Sequence, residues 1–139
     1  MLYLASDHAG YDLKEKLKKF LTKSKISFKD LGTNSKNVVD YPDYAKKLIK
    51  NIKKNDKGIL ICGTGTGMVI AANRSKKIRA AGIYDNYTAK MARHDNDANV
   101  ICLRGRKFSS NKNLKLVKIF LNSKFSNIHR HKKRIKKLS

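Results

Sequence analysis

Acidic side chains are scarce in this chain: ten Asp and Glu face 33 Lys and Arg over 139 residues, a formal net charge of +23, and none lies beyond Asp97. Such an imbalance invites phosphate-bearing partners. Twelve of the 26 lysines nevertheless fall in KEKLKKFLTKSK and KKLIKNIKKNDK, where they occupy the polar faces of amphipathic segments and solvation accounts for them. Long apolar runs are also missing. No stretch approaches the eighteen or so residues of a membrane helix, and MLYLASDHAG has neither a charged leader nor a long hydrophobic segment, so no signal peptide is expected. The two cysteines, Cys62 and Cys102, end apolar runs and read as reduced thiols of a cytoplasmic protein rather than a disulfide framework. No His/Asp/Glu set has convincing metal-ligand spacing, and no metal or cofactor is expected. An aromatic RNA-binding platform and zinc-finger ligands are absent too, which counts against nucleic-acid binding. Repeats and low-complexity linkers are lacking, so residues 1–139 form one domain with a basic C-terminal segment over about 128–139.

What is present centres on residues 58–75, GILICGTGTGMVIAANRS. Gly58-Ile59-Leu60-Ile61-Cys62 is short and continuously apolar, as a strand buried on both faces of a parallel sheet should be. Gly63, Gly65 and Gly67, separated by Thr64 and Thr66, allow a sharp turn and a close backbone approach. Met68-Val69-Ile70-Ala71-Ala72 then reads as an apolar helix. A turn of this kind points several N–H groups at one spot and favours an anion there. It matches neither common nucleotide loop: Met68 breaks the G-x-G-x-x-G spacing, and no Gly-Lys-Ser/Thr follows. The result is an anion cradle with the thiol of Cys62 at its lip, unless the glycines serve only a tight structural turn.

Strands are predicted at 1–5, 26–31, 58–62, 79–83 and 99–103. Between them, Leu13, Leu17, Phe20 and Leu21 mark a first helix, with Asp12 and Glu15 spaced as a capping box. A second helix carries Ala45, Leu48, Ile49 and Ile52 after Pro42, which suits a first turn. Asn86 is a candidate cap for a helix through Tyr87, Met91 and Ala92. Leu114, Val117, Phe120 and Leu121 mark another, and a short basic helix or tail follows residue 128. Alternation at this spacing predicts an α/β, Rossmann-like three-layer sandwich with a mainly parallel five-stranded sheet and right-handed crossovers. Ligands in such folds bind beyond the carboxyl ends of the strands. Asp7 and His8, the Cys62–Gly67 loop, Asp85 with Asn86, and residues 104–106 all follow strands directly and are expected to share that rim.

Ser6-Asp7-His8-Ala9-Gly10, Asp40-Tyr41-Pro42, the Ile61-Cys62-Gly63-Thr64-Gly65 to Ala71-Ala72-Asn73 block, Asn96-Asp97-Ala98-Asn99-Val100, and Arg130-His131 with Arg134 resemble, in order, the motifs of the type B ribose-5-phosphate isomerases. The similarity covers nearly the whole chain. Its most specific block is shared with the related galactose-6-phosphate and allose-6-phosphate isomerases, so it points to the family rather than the substrate. The resemblance implies a metal-independent aldose–ketose isomerase acting through a cis-enediolate, with Cys62 as the base that moves a proton between C1 and C2. The amides of Gly63, Gly65 and Gly67 would then hold the enediolate oxygen, and Thr64 would bind the sugar. It also implies Asp7 and His8 on sugar oxygens and phosphate, Tyr41 and Asn96 lining the pocket, and Arg106, Arg130 and Arg134 with His131 on the phosphate, where guanidinium forks fit. A cytoplasmic homodimer with shared active sites is expected on the same ground.

One position departs from the family pattern. A histidine normally precedes the Asn-Asp pair and opens the furanose ring, but here Asp95 stands there and the histidine is His94. A one-residue shift on a helix turns a side chain by about 100°. Either Asp95 or His94 is therefore expected to assist ring opening. Arg104 also replaces a common glycine and adds positive charge near the phosphate side. The alternatives are a hexose-phosphate isomerase with the same chemistry and, more remotely, a basic nucleic-acid-binding protein on this scaffold.

Overall fold

The computed structural model describes residues 1–138. Its strands are β1 (Leu2–Ser6), β2 (Phe28–Asp30), β3 (Lys57–Cys62), β4 (Ala80–Gly82) and β5 (Val100–Arg104). The helices are α1 (Tyr11–Lys23), α2 (Tyr41–Asn51), α3 (Thr66–Ala72), α4 (Asn86–His94), α5 (Ser110–Asn122) and α6 (His129–Lys136), with a short 3-10 turn at His8–Gly10. The strands pair in the order β2-β1-β3-β5-β4 and every pairing is parallel, one step beyond the mainly parallel sheet expected.

Two apolar layers sandwich the sheet. One is built from Leu13, Leu17 and Leu21 of α1, Ala89 and Ala92 of α4, and Leu116, Val117 and Phe120 of α5. On the other side, Ala45 and Leu48 of α2 and Met68 and Ala72 of α3 cover Leu60 and Cys62. β3 is the only one of the three central strands whose following helix goes to the α2/α3 side. The chain leaves β1 and β5, its two neighbours, toward the α1/α5 side. Such a divergence opens a crevice on each flank of the C-terminal end of β3, where doubly wound sheets bind ligands.

Several expectations need correction. The first helix is not capped by an Asp12/Glu15 box: Gly10 is its N-cap, and Asp7 caps the preceding turn by accepting a hydrogen bond from the Gly10 amide at 3.0 Å. Asp12 instead pairs with Lys36, and Glu15 with Lys14 and Lys18. The cap of α4 is Asp85, not Asn86, in a reciprocal box with Thr88. The second strand is shorter than 26–31 because Lys25 takes φ 55° and the Ile26 amide closes the end of α1 on the Leu21 carbonyl. Lys14, assigned to a polar face, is 1 % exposed: its stem packs beside Gly32 and its ammonium contacts Asp30 and Glu15. Pro42 does lie in the first turn of α2, with Asp40 at the N-cap.

Candidate active site

Cys62 ends β3 with its side chain on the α2/α3 side, 5 % exposed. The Gly65 amide donates to its Sγ at 3.2 Å. That contact needs the loop to double back, and Gly65 makes it possible with φ +82°. The sulfur thus meets a backbone N–H at the very start of α3. Cys102 is different: it is 1 % exposed, and burial followed by the neighbouring Cys62 pushes its thiol far above the ordinary range, so it stays protonated. Both cysteines are free.

The three glycines have distinct roles. Only Gly65 requires the left-handed backbone. A Cβ on Gly67 would lie 2.8 Å from the Tyr41 ring, so that glycine lets Tyr41 lie against the start of α3. A Cβ on Gly63 would meet nothing closer than the Arg106 Cδ at 3.5 Å, which places the Arg106 side chain along the loop. Backbone bonds fix that neighbourhood: Gly105 donates to the Cys62 carbonyl at 2.7 Å and Arg106 to the Gly63 carbonyl at 3.1 Å. The exposed Thr64 hydroxyl accepts from the Thr66 amide at 3.2 Å. On the β1 flank, the Asp7 amide bonds the Ile61 carbonyl, and His8 Nδ1 lies 3.2 Å from both N and O of Val39, so either tautomer has a partner. Asp7, His8, Tyr41, Cys62, Thr64 and Arg106 thus surround one end of the sheet.

The other candidates are at the opposite end. His94, Asp95 and Asn96 lead into the N-terminal end of β5, which pairs Val100 with Gly58 and Arg104 with Cys62. Four residues of strand, about 13 Å, therefore separate Cys62 from the level at which β5 begins. Asp97, at φ 45°, is clamped there by Arg93 Nη1 at 2.6 Å and Arg79 Nη2 at 2.8 Å. Arg79 also donates to the Asn96 carbonyl, and Arg93 to the Ala98 carbonyl. This frame presents His94 and Asp95 side by side, with Nδ1 and Oδ1 2.6 Å apart. The hydrogen bond from His94 comes first among the causes that hold the Asp95 carboxyl below its usual range, followed by burial, which opposes it, and then the charges of His131, His94 and Arg130. An ionised carboxylate only accepts, so Nδ1 of His94 is the donor and its Nε2 is left for other partners.

Helix α6 packs on this end. His131 is 3 % exposed, its Nδ1 is 2.6 Å from Ser126 Oγ, and its Nε2 is 3.7 Å from Asp95 Oδ1. Arg130 and Arg134 are exposed on the same helix. A cavity of about 660 Å³ also lies here, lined by Asn73, Ala81, Asn96, Ala98, Ile135 and Leu138 among others. Cys62 is not in its wall, so its size carries no argument about the chemistry at the thiol.

Two motif asparagines turn out to be braces. Asn73 accepts from the Ala80 amide at 2.8 Å and donates to its carbonyl at 2.9 Å, as a neighbouring strand would. Asn99 accepts from the Arg79 amide and donates to the Lys77 carbonyl. Sequence reasoning missed Ser126, Arg79 and the buried Asn113, whose amide holds the Arg104 carbonyl at 2.8 Å. For Ser126 the sequence carries no signal beyond its position five residues before His131.

A family model described as Ribose/Galactose Isomerase matches residues 2–138. A probable ribose-5-phosphate isomerase B of Mycoplasma pneumoniae is 44% identical over 140 residues, covering 99% of this chain and 91% of that protein. Among solved structures, a ribose 5-phosphate isomerase from Thermotoga maritima superposes with TM-score 0.95 at 46% identity, over 99% of this chain and 95% of the other. The Mycoplasma genitalium ribose-5-phosphate isomerase B, solved with bound ribulose-5-phosphate, gives TM-score 0.90 at 40% identity, over 99% and 92%. With a match along almost its whole length and a fold that superposes, this chain belongs to the ribose/galactose isomerase family.

Proposed function

We propose that this isomerase interconverts ribose 5-phosphate and ribulose 5-phosphate, with Cys62 as the base. The observation that carries the reading is the Cys62 sulfur held 3.2 Å from the Gly65 amide at the carboxyl end of β3. The thiolate removes the proton from C2 of the open-chain aldose, the electron pair moves into a C1–C2 enediolate, and the thiol returns the proton to C1. The hydroxyl proton passes from O2 to O1, and no oxidant or metal enters the balance. Amides of the Gly63–Gly67 loop face the developing oxyanion, where preorganised donors count most. Thr64, Asp7 and His8 hold sugar oxygens, Tyr41 closes the wall, and Arg106 meets the phosphate from the same chain.

Ring opening falls to the other group of residues. His94 is the proton-transfer residue through Nε2, and Asp95 is a positioning residue that fixes its tautomer from Nδ1. Neither can reach Cys62 of its own chain from the far end of the sheet. We infer a homodimer in which His94, Asn96, Arg130, His131 and Arg134 of one subunit complete the Cys62 site of the other. Apolar side chains suited to such a contact stand outside the fold, with Ile70 on α3 56 % exposed and Tyr84 and Tyr87 near edge strand β4 at 60 % and 71 %. The free cysteines suit a reducing cytoplasm.

The test is isomerisation by purified wild type and Cys62→Ala, with EDTA present and ribose 5-phosphate, allose 6-phosphate and galactose 6-phosphate as parallel substrates. Activity on the pentose that disappears in Cys62→Ala is the expected result. Turnover of a hexose phosphate alone would replace the substrate, and full activity in Cys62→Ala would remove the base.

A further inference from the structure

His94, Asp95 and His131 form a compact donor set: one ligand atom from each lies within 4.8 Å of the other two. In a tetrahedral zinc site with bonds of about 2.0–2.1 Å, neighbouring ligand atoms stand about 3.3 Å apart. The separations from Asp95 Oδ1, 2.6 Å to His94 Nδ1 and 3.7 Å to His131 Nε2, straddle that value. A shift of well under 1 Å in the carboxylate would equalise them. We propose that these three side chains bind one divalent transition-metal ion, Zn²⁺ or Co²⁺, as an inhibitory ligand rather than a resident cofactor.

The surroundings favour this. A metal-binding imidazole is normally oriented by a hydrogen bond from its other nitrogen. His131 has that arrangement already, with Nδ1 on Ser126 Oγ at 2.6 Å while Nε2 faces Asp95. Ser126 is itself tied to the same helix end, since its amide donates to the His94 carbonyl at 3.0 Å. Asp95 is the C-cap of α4, where the helix dipole is negative and a cation is stabilised. Two imidazoles and a carboxylate suit a borderline ion such as zinc, and too few oxygens are present for Mg²⁺ or Ca²⁺. The set also leaves the fourth tetrahedral position to water. Arg130 contributes opposing positive charge, as its influence on Asp95 shows. The ion displaces the His94–Asp95 hydrogen bond, so His94 can no longer be oriented for proton transfer. The inhibitory consequence rests on the ring-opening role proposed above, whereas binding of the metal does not.

Co²⁺ titration of the full chain, followed by visible absorption, tests both parts. Expected is one equivalent with the d–d bands of a tetrahedral nitrogen/oxygen site and no sulfur-to-metal charge transfer. Ser126→Ala should weaken binding about 10- to 100-fold, and His131→Gln or Asp95→Asn should weaken it further, with circular dichroism confirming folded variants. Zn²⁺ should slow isomerisation and EDTA restore it. Absence of saturable binding, a thiolate charge-transfer band, or wild-type affinity in Asp95→Asn and His131→Gln would overturn the site. Binding without inhibition would keep the site and overturn its regulatory role. Failure of the isomerase reading shows differently, as a protein that binds Co²⁺ stoichiometrically yet turns over no sugar phosphate.

Discussion

Cys62 and Gly65 share one hydrogen bond but fail differently when altered. Cys62→Ser keeps the shape of the loop and a partner for the Gly65 amide, while replacing the thiol with a hydroxyl, a far weaker acid that seldom supplies an anionic base. Stability should be unchanged and kcat should fall by at least about a hundredfold, the lower range for loss of a general base. Gly65→Ala should do the reverse in proportion. An alanine at φ +82° costs about 1–2 kcal/mol, and its Cβ would sit 3.3 Å from the Leu103 carbonyl. Urea denaturation should register that loss, and kcat should fall with it because the amide moves off the sulfur. A Gly65→Ala protein of wild-type stability would contradict the strain argument.

At the scale of elements, α1 and β2 are joined by a half-buried charge cluster around the buried Lys14. Burial is the largest influence on Asp30 and pushes its carboxyl up, yet Lys14, the Gly32 amide and Lys18 together hold it below its usual range. Its folded-state pKa lies under that of the unfolded chain, so the stabilisation is present above the unfolded value of about 3.9 and is lost as pH falls through the folded value. Asp30→Asn should cost about 1–3 kcal/mol at pH 7, less than a fully stranded buried charge because Glu15 still meets Lys14 and the carboxyl is partly solvated. The difference from wild type should shrink in urea melts taken near pH 3; a constant difference would assign the loss to packing. This cluster shows where sequence reading stops. The apolar stripe Leu13, Leu17, Leu21 is local and legible, and Lys14 fits the same stripe at three and seven residues from Leu17 and Leu21. Nothing local says that a lysine there meets an aspartate sixteen residues on. The glycine loop and its thiol were legible for the same local reason, as were all five strands. The Asn73 and Asn99 braces and the His131–Ser126 pair were not, because each depends on which segments the sheet order brings together. The division of the site was half legible: residues that precede a parallel strand must lie at its N-terminal edge, and 94–96 precede β5.

Under the proposed assignment, that division requires two subunits. If each Cys62 draws its His94 from a second subunit, a variant lacking either group should be inactive as a homodimer. Cys62→Ser and His94→Gln chains brought together should complement each other. Random pairing makes half the dimers mixed, and each mixed dimer holds one site with both groups intact and one with neither. Activity should then recover to about a quarter of wild type. Co-expression with two different tags, followed by tandem purification, isolates the mixed dimer, whose expected activity is about half that of wild type. Recovery should also depend on salt when the proteins are mixed after purification. Two chains of +23 repel each other, and added salt screens that repulsion over about 8–10 Å near physiological strength, so the dimer should tighten and subunit exchange should slow as ionic strength rises. A tandem-purified mixed dimer with no activity would mean that the catalytic groups must come from one chain, and the 13 Å or so between the two ends of the sheet would then have to be closed by a rearrangement of α4 and α6.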